Sequence, residues 1–543
     1  MFREPWFTDA VIYGVNVKKF ADGNGDGVGD FIGLAERLPY IAELGITCIW
    51  LLPFFGSPGR DNGYDVSDYY AIHPQSGTRE DFLHFLHSAG EHGIRVIIDL
   101  VVNHTSDEHP WFQAGRRDER SRYRDYYVWN QDPPPVEPNT HSIFPGEETS
   151  VWAYDEVARA YYFHKFYSFQ PDLNIANPEV RAEILRIIDY WLAFGISGFR
   201  IDAAPLVIGD NGLKRASPRD PHGVLREMAL YARERREDGL LLGEVNMPVE
   251  KLRDYFGDGD QMGLLFDFSG ACSIFAALAR EDATAIVRHQ ALVPQPPAGC
   301  GWANFLRNLD ELDFSRVPDD LRDDVFAAFA PSDDMQVYER GVRRRLAPML
   351  GGDQRRVALA FAIIMGLRGA PLFVYGDEIG LGEDLSANGR ESVRIPMQWD
   401  GSRNGGFSTA PAAQLAAKPV SDGPFSYKTV NVAAQKDDPD SLLNQVKRLI
   451  YTRRENKIFS RGRPSCPVVS DTAVFAYAYH DGGEAALLLH NLAGRKVSVT
   501  VDVAFAPESS FTDLLTGETV EPEEVTRAEL GPYGYRWIVA RQE

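Results

Sequence analysis

Three stretches of the chain end in a carboxylate: Gly198-Phe199-Arg200-Ile201-Asp202, Leu241-Leu242-Gly243-Glu244, and Phe305-Leu306-Arg307-Asn308-Leu309-Asp310. Each reads as a short buried strand, and the acids are separated by 42 and 66 residues. Two carboxylates facing each other can break a glycosidic bond, one as nucleophile and the other as proton donor and then base. Arg200 lies two residues before Asp202, so on a strand both side chains share a face. A guanidinium there would hold Asp202 ionised, as a nucleophile must be. A single strand-end Asp is more often a helix cap or an ion-pair partner. Three at equivalent strand ends point to one shared site.

A second pattern is Asp22-Gly23-Asn24-Gly25-Asp26-Gly27-Val28-Gly29-Asp30. Asp22, Asn24, Asp26 and Asp30 put oxygen donors at positions one, three, five and nine, with the Val28 carbonyl at seven and glycine at six. This is the first part of an EF-hand-like loop, which predicts calcium, with magnesium as the alternative. Gly33 stands where a bidentate Glu would complete the motif. The competing reading is a Gly-rich acidic turn that needs no metal.

The elements that must position these residues follow from hydrophobic patterning. Candidate strands fall at 9–17, 47–53, 95–101, 198–202, 240–244, 263–268, 303–308 and 371–377. Several are apolar at consecutive positions, as strands of a parallel sheet buried on both faces should be. Helical stretches lie between them. After Asn177-Pro178, residues Val180, Ile184, Ile187, Ile188, Trp191 and Leu192 form one stripe. Eight strands alternating with helices predict an α/β fold, a (β/α)8 TIM barrel with its chemistry on the loops after the strand C-termini. The barrel is expected to start at 1–102 and to resume over 175–460. Residues 103–174, rich in aromatics and containing Pro133-Pro134-Pro135, are too long for a loop and read as an inserted small domain after strand 3. A second, lid-like insertion covers about 311–350, and the alternating pattern of 461–543 predicts a C-terminal antiparallel β-sandwich.

Composition narrows the function classes. Of 543 residues 44% are hydrophobic and 25% charged, which excludes disorder and coiled coil. Lys+Arg number 56 against 78 Asp+Glu, a net charge of −22, so nucleic acid and anionic membrane are poor partners. Cys48, Cys272, Cys300 and Cys466 are scattered, which predicts reduced thiols rather than a disulfide framework or zinc site. Met1 to Trp6 lacks the apolar core of a signal peptide, and the most apolar run, 357–367, is too short to span a bilayer. The expectation is a cytoplasmic protein, monomer or homo-oligomer, with no organic cofactor and no membrane contact.

Asp99-Leu100-Val101-Val102-Asn103-His104, Gly198 to Asp202, Leu242-Gly243-Glu244 and Asn308-Leu309-Asp310 resemble, in order, the four signatures of the α-amylase superfamily of retaining glycoside hydrolases. Gln170-Pro171-Asp172-Leu173-Asn174 resembles an accessory one. The resemblance runs the length of the chain. It implies Asp202 as nucleophile, Glu244 as acid/base, Asp310 as the third acid that steadies the distorted sugar, and His104 in contact with the sugar at the cleavage position. Asn62-Gly63-Tyr64-Asp65 and Val393-Arg394-Ile395-Pro396-Met397-Gln398-Trp399 look like the exo-acting α-glucosidase and trehalose synthase branch. There the Asp and Arg clamp the free non-reducing end and the Tyr stacks beneath the ring, roles that would fall to Asp65, Arg394 and Tyr64. A structural Asp65–Arg394 ion pair is the alternative. The clamp implies a pocket closed at one end, fit for disaccharides.

Similarity to trehalose synthases, which interconvert maltose and trehalose by intramolecular glucosyl transfer, is strongest in Tyr161 to Tyr167, Gly341 to Pro348, and Gly376 to Gly380. In the first run Phe166 is a candidate sugar contact, with core packing as the alternative. Arg343, Arg344 and Arg345 cannot all face one way, so most should be solvated or paired with local acids. The resemblance also implies a metal near Asn103 and Asp172, although the downstream acidic ligand is displaced. The departures concern sugar reading. Leu309 replaces a histidine that donates to the C2 and C3 hydroxyls, Leu206 replaces a tyrosine, Gly14 and Asn16 replace Glu and His, and the stretch from Phe266 to Gly270 differs. The implied function is a retaining α-glucosyl enzyme for small α-glucosides, of trehalose-synthase type but with altered sugar recognition. An exo-acting α-glucosidase is the alternative. A non-catalytic carbohydrate-binding member conflicts with the survival of all three acids.

Overall fold

A computed structural model describes residues 5–134, 142–209, 220–506 and 509–542. Met1 to Glu4 and Pro135, drawn on above, lie outside them. The barrel strands are β1 (Ile12–Val15), β2 (Cys48–Leu51), β3 (Arg95–Leu100), β4 (Gly198–Ile201), β5 (Leu240–Gly243), β6 (Leu264–Phe266), β7 (Gly301–Phe305) and β8 (Ala370–Val374). They pair in parallel with their neighbours in sequence, and β8 pairs with β1, so the barrel closes in chain order. Nearly every strand residue is buried, which explains runs that do not alternate. Within that ring Gly198 is required. Its φ is +145°, and a Cβ would lie 2.0 Å from the Leu240 carbonyl oxygen. The glycine thus lets β4, which carries Arg200, seat against β5.

The helices form for legible reasons. Pro178–Leu192 starts on a proline, its N-cap Asn177 accepts from the Glu179 N–H, and the six-residue stripe is buried. Gln354–Gly366 is buried from Val357 onward. It is apolar all round because it lies between the barrel and the C-terminal domain, where the Tyr479 hydroxyl donates to the Gly366 carbonyl at 2.8 Å. The most apolar run is therefore a core helix, and among the described residues no helix is long and apolar enough to cross a membrane.

The segment after β3 folds into helix Pro110–Arg117 and a three-stranded antiparallel sheet of Trp129–Asn130, Ala160–Phe163 and Trp152–Asp155. The segment after β7 folds into helix Asp319–Phe329 and a small sheet of Leu312–Asp313, Gly341–Val342 and Gln336–Val337. At its end two of the three arginines pair with acids, as expected, and the third is held by carbonyls. Arg343 donates to the Leu385 and Ala387 carbonyls, Arg344 pairs with Glu383, and Arg345 donates to the Val393 carbonyl and pairs with Asp377. They fasten loops rather than sit in solvent.

Beyond the barrel, a five-stranded and a three-stranded antiparallel sheet face each other. Their separate core includes Val474, Leu487, Leu489, Val499, Ala528 and Ile538. Strand Val497–Asp502 buries every second residue, as a half-solvated strand should. All four cysteines are free.

Candidate active site

The chemistry is organised around Arg200. In the parallel register Asp99 on β3 stands beside Arg200 on β4, and Arg200 beside Leu242 on β5. The guanidinium, 1% exposed, donates from Nη1 to Asp99 Oδ1 at 2.7 Å, pairs with Asp202, and reaches Glu244 Oε2 from Nη2 at 2.8 Å. The Ala203 N–H donates to the same Glu244 oxygen at 2.9 Å. Tyr64 donates to Asp99 Oδ2 at 3.2 Å. One buried cation thus fixes three carboxylates from three consecutive strand ends.

Electrostatics then separates the acids. Burial pushes Glu244 up to about 7, with the charges of Asp202 and Asp310 adding to it and Arg200 opposing. Burial likewise pushes Asp99 up to about 8, with Asp202 and Glu244 adding and Arg200 opposing. A carboxyl that keeps its proton near neutrality is fit to be a general acid. Burial alone would raise Asp310 too, but Arg390, Arg394 and Arg200 outweigh it and hold Asp310 below the usual carboxylate range. His104 is pushed down to about 4 by burial, so it is a neutral imidazole. Its ring lines the cavity.

These groups share one cavity of about 530 Å3, lined among others by Tyr64, His104, Phe166, Asp202, Glu244 and Asp310. That size lies within the range of about 300–1,000 Å3 usual for small-molecule sites. The Phe166 ring is half-buried against His104, with centroids 4.8 Å apart, and forms one wall. Of its aromatic neighbours, Tyr162 packs on Phe112 in the inserted domain, so the run supplies both a cavity wall and core packing.

The motifs did not reveal the surroundings of three site residues. Asp65 does not pair with Arg394; it accepts from Ser57 Oγ at 2.8 Å and from the Arg60 and Asp61 N–H groups at 3.0 and 3.1 Å. Its carboxylate holds the turn that carries Tyr64. Arg394 is buried beneath the site, bonding Asp310 Oδ1 from Nη2 at 2.5 Å and the Leu309 carbonyl from Nε at 3.0 Å. It braces the third acid. Leu309 is 1% exposed, packs in the main hydrophobic core and does not line the cavity. Its φ of +69° lets the turn between β7 and Asp310 place a leucine inward and a carbonyl toward Arg394. The leucine side chain thus packs in the core rather than in the cavity.

The sequence reading missed Arg390, which lines the cavity, lies 3.3 Å from Asp310 and donates from Nε to Glu311 at 2.7 Å. The available signal was a lone arginine in Asn388-Gly389-Arg390, four residues before the motif arginine. Of the other departures, Leu206 and Phe268 do line the cavity, and Asn16 caps a helical turn by accepting from the Lys18 N–H at 3.1 Å. Asp267 caps the helix Phe268–Arg280 and pairs with His289 at 2.8 Å.

In the acidic loop, Asp22 accepts from the Gly25 and Gly27 N–H groups, Asn24 from Asp26, Asp26 from Val28, and Asp30 from Gly23, Asn24 and Gly33. The donor set therefore curls on itself. Asp30 is raised, chiefly by burial and further by the Asp22 charge, against the pull of those N–H groups. A buried carboxylate beside another is a setting that a hard cation relieves. Among the described residues no trio of His, Cys, Asp or Glu is placed to hold a metal, so such a site must also use Asn24 and the Val28 carbonyl. Near the other implied site, Asn103 and Asp172 bond each other at 3.2 Å.

Residues 14–298 and 313–462 match the model of the alpha amylase catalytic domain, and 468–537 that of the maltogenic amylase C-terminal domain. The chain is 42% identical over 533 residues to a trehalose synthase of Thermus thermophilus, covering 98% of this chain and 55% of that one. It thus spans about half the length of that relative. It is 41% identical over 502 residues to a trehalose synthase of Pimelobacter sp., covering 90% of this chain and 87% of that one. Among solved structures, Bacillus licheniformis trehalose-6-phosphate hydrolase superposes with a TM-score of 0.79 at 26% identity, covering 99% of this chain and 100% of that one. With its closed eight-stranded barrel, three strand-end acids and likeness along nearly its whole length, the chain belongs to the alpha-amylase family.

Proposed function

We propose that the chain is a retaining α-glucosyl enzyme acting on small α-glucosides, of the trehalose-synthase type that interconverts maltose and trehalose. The observation that carries this is the guanidinium of Arg200 shared by Asp99, Asp202 and Glu244 at the mouth of the barrel. Asp202 attacks C1 of the glucosyl unit while Glu244 gives its proton to the leaving oxygen; the glycosidic C1–O bond breaks and an ester to Asp202 forms. Glu244, now ionised, takes the proton from an incoming hydroxyl. That oxygen makes the new C1–O bond as the ester bond breaks, and the configuration at C1 is retained. When the incoming hydroxyl belongs to the glucose just released, turned in place, the disaccharide is isomerised.

The two relatives named trehalose synthase support transfer to a retained sugar. The structural neighbour named trehalose-6-phosphate hydrolase supports a second reading, in which water takes the place of that sugar. Incubation with maltose, trehalose, sucrose and an aryl α-glucoside, followed by product analysis, separates them. Trehalose from maltose is expected. Glucose alone would support the hydrolase, and no turnover of any of the four would overturn both. Asp22, Asn24, Asp26, Asp30 and the Val28 carbonyl would hold calcium as a brace for the loop after β1, away from the three acids.

A further inference from the structure

The inserted domain and the second insertion meet through three aromatic rings that lie next to cavity-lining residues. Phe144, in the inserted domain, stacks on Tyr167 with centroids 4.3 Å apart and packs on Tyr338 of the second insertion at 4.7 Å. The Tyr167 and Tyr338 hydroxyls are hydrogen-bonded at 3.2 Å. Arg390 lies with its guanidinium carbon 5.0 Å from the Phe144 ring and 5.8 Å from the Tyr338 ring, while its Nε bonds Glu311. Arg340 pairs with Glu311 from the other side at 3.3 Å. Ile143, Arg340 and Arg390 line the cavity, so the rings form an outer layer behind them.

The hairpin that delivers Tyr338 is strained. Tyr338 and Glu339 take φ of +54° and +57° in the turn between Gln336–Val337 and Gly341–Val342. Two consecutive non-glycine residues in the left-handed region cost free energy that surrounding contacts must offset. Only Tyr338 of the pair is buried, 6% exposed, and its contacts are the clasp. A turn built for folding alone would place glycine or asparagine there.

We infer that Tyr338, with Phe144 and Tyr167, is a specificity-determining clasp that keeps water out of the cavity while the glucosyl ester on Asp202 waits for its acceptor. This rests on the retaining transfer reading above. The ester can be opened by the hydroxyl of a retained sugar or by water, with Glu244 taking the proton in either case. Which oxygen makes the new bond to C1 depends on which is present when the ester is exposed. Joining the two insertions beside the cavity favours the retained sugar. These three residues touch none of the acids and act by position.

The test uses the full chain with p-nitrophenyl α-glucoside plus added glucose, and separately with maltose. Nitrophenol release reports formation of the ester; free glucose against disaccharide reports its partition. Tyr338→Ala is expected to raise the ratio of hydrolysis to transfer roughly tenfold, the effect of about 1.4 kcal/mol, with nitrophenol release nearly unchanged. Tyr338→Phe, which keeps the ring stack and loses only the hydroxyl contact, should lie between it and the unaltered protein. Phe144→Leu, which keeps an apolar side chain should the alanine variant fail to fold, should also raise the ratio. An unchanged ratio in folded variants overturns the clasp. Nitrophenol matched one-for-one by free glucose in the unaltered protein overturns it too, yet leaves the retaining chemistry standing. Absence of nitrophenol release and of maltose turnover overturns the functional reading itself.

Discussion

Arg200 and Glu244 are in direct contact, 2.8 Å from Nη2 to Oε2, and yet Glu244 stands well above the usual carboxylate range, at about 7. The guanidinium pulls the carboxyl toward ionisation. Burial, together with Asp202 and Asp310 nearby, pushes harder the other way. The outcome is an acid poised near neutrality beside a residue charged to hold its neighbours.

That balance predicts a pH profile. Glu244 must be protonated to donate, so kcat/KM for a substrate with a poor leaving group should fall as pH rises through about 7, toward tenfold per pH unit above it. The Glu244→Gln variant, assayed on α-glucosyl fluoride, whose leaving group needs no proton, should show no such limb in the formation of the ester. A basic limb that survives the substitution assigns the proton to another group.

Leu309 has the surroundings of a core residue. The missing histidine suggested altered sugar reading, but the leucine lies in the core, away from the cavity. Leu309→His would bury an imidazole without a partner, at a cost on the order of 1–3 kcal/mol. It should lower the melting temperature and give no gain in kcat/KM on ordinary glucosides. An activity gain at unchanged stability would restore the recognition reading.

How much was legible in the sequence follows from the same residues. Barrel strands announce themselves because burial on both faces leaves consecutive apolar residues, and the acids at their ends were readable from spacing and motif. The separate partners of Asp65 and Arg394 were not, because a motif gives residue types and not side-chain direction. The turn at Leu309, with φ of +69°, directs Asp310 toward Arg394 and Arg390 alike, and Arg390 reaches the cavity only through the folding of its loop. The aromatic clasp was invisible for a simpler reason. Phe144 and Tyr338 are far apart in the chain, and nothing local marks either as the partner of the other.

On the calcium reading proposed above, removal of the metal should act on stability rather than chemistry. Asp22, Asn24, Asp26 and Asp30 lie in the loop after β1, and none contacts the three acids. Chelation is expected to lower the melting temperature, and added calcium to restore it, by the mass-action gain of a ligand bound only to the folded state. Equal melting temperatures with chelator and with saturating calcium would remove the metal from the account.

The central claim is that Asp202 carries the glucosyl unit between two bond exchanges. The most direct measurement is mass spectrometry of the Glu244→Gln variant incubated with α-glucosyl fluoride, followed by proteolysis. The fluoride leaves without an acid, while the missing base slows release of the ester, so the intermediate should accumulate. The account predicts a gain of one anhydroglucose unit on the peptide that contains Asp202, absent in a variant that also carries Asp202→Asn. Turnover with no adduct and with inverted configuration in the product would contradict it.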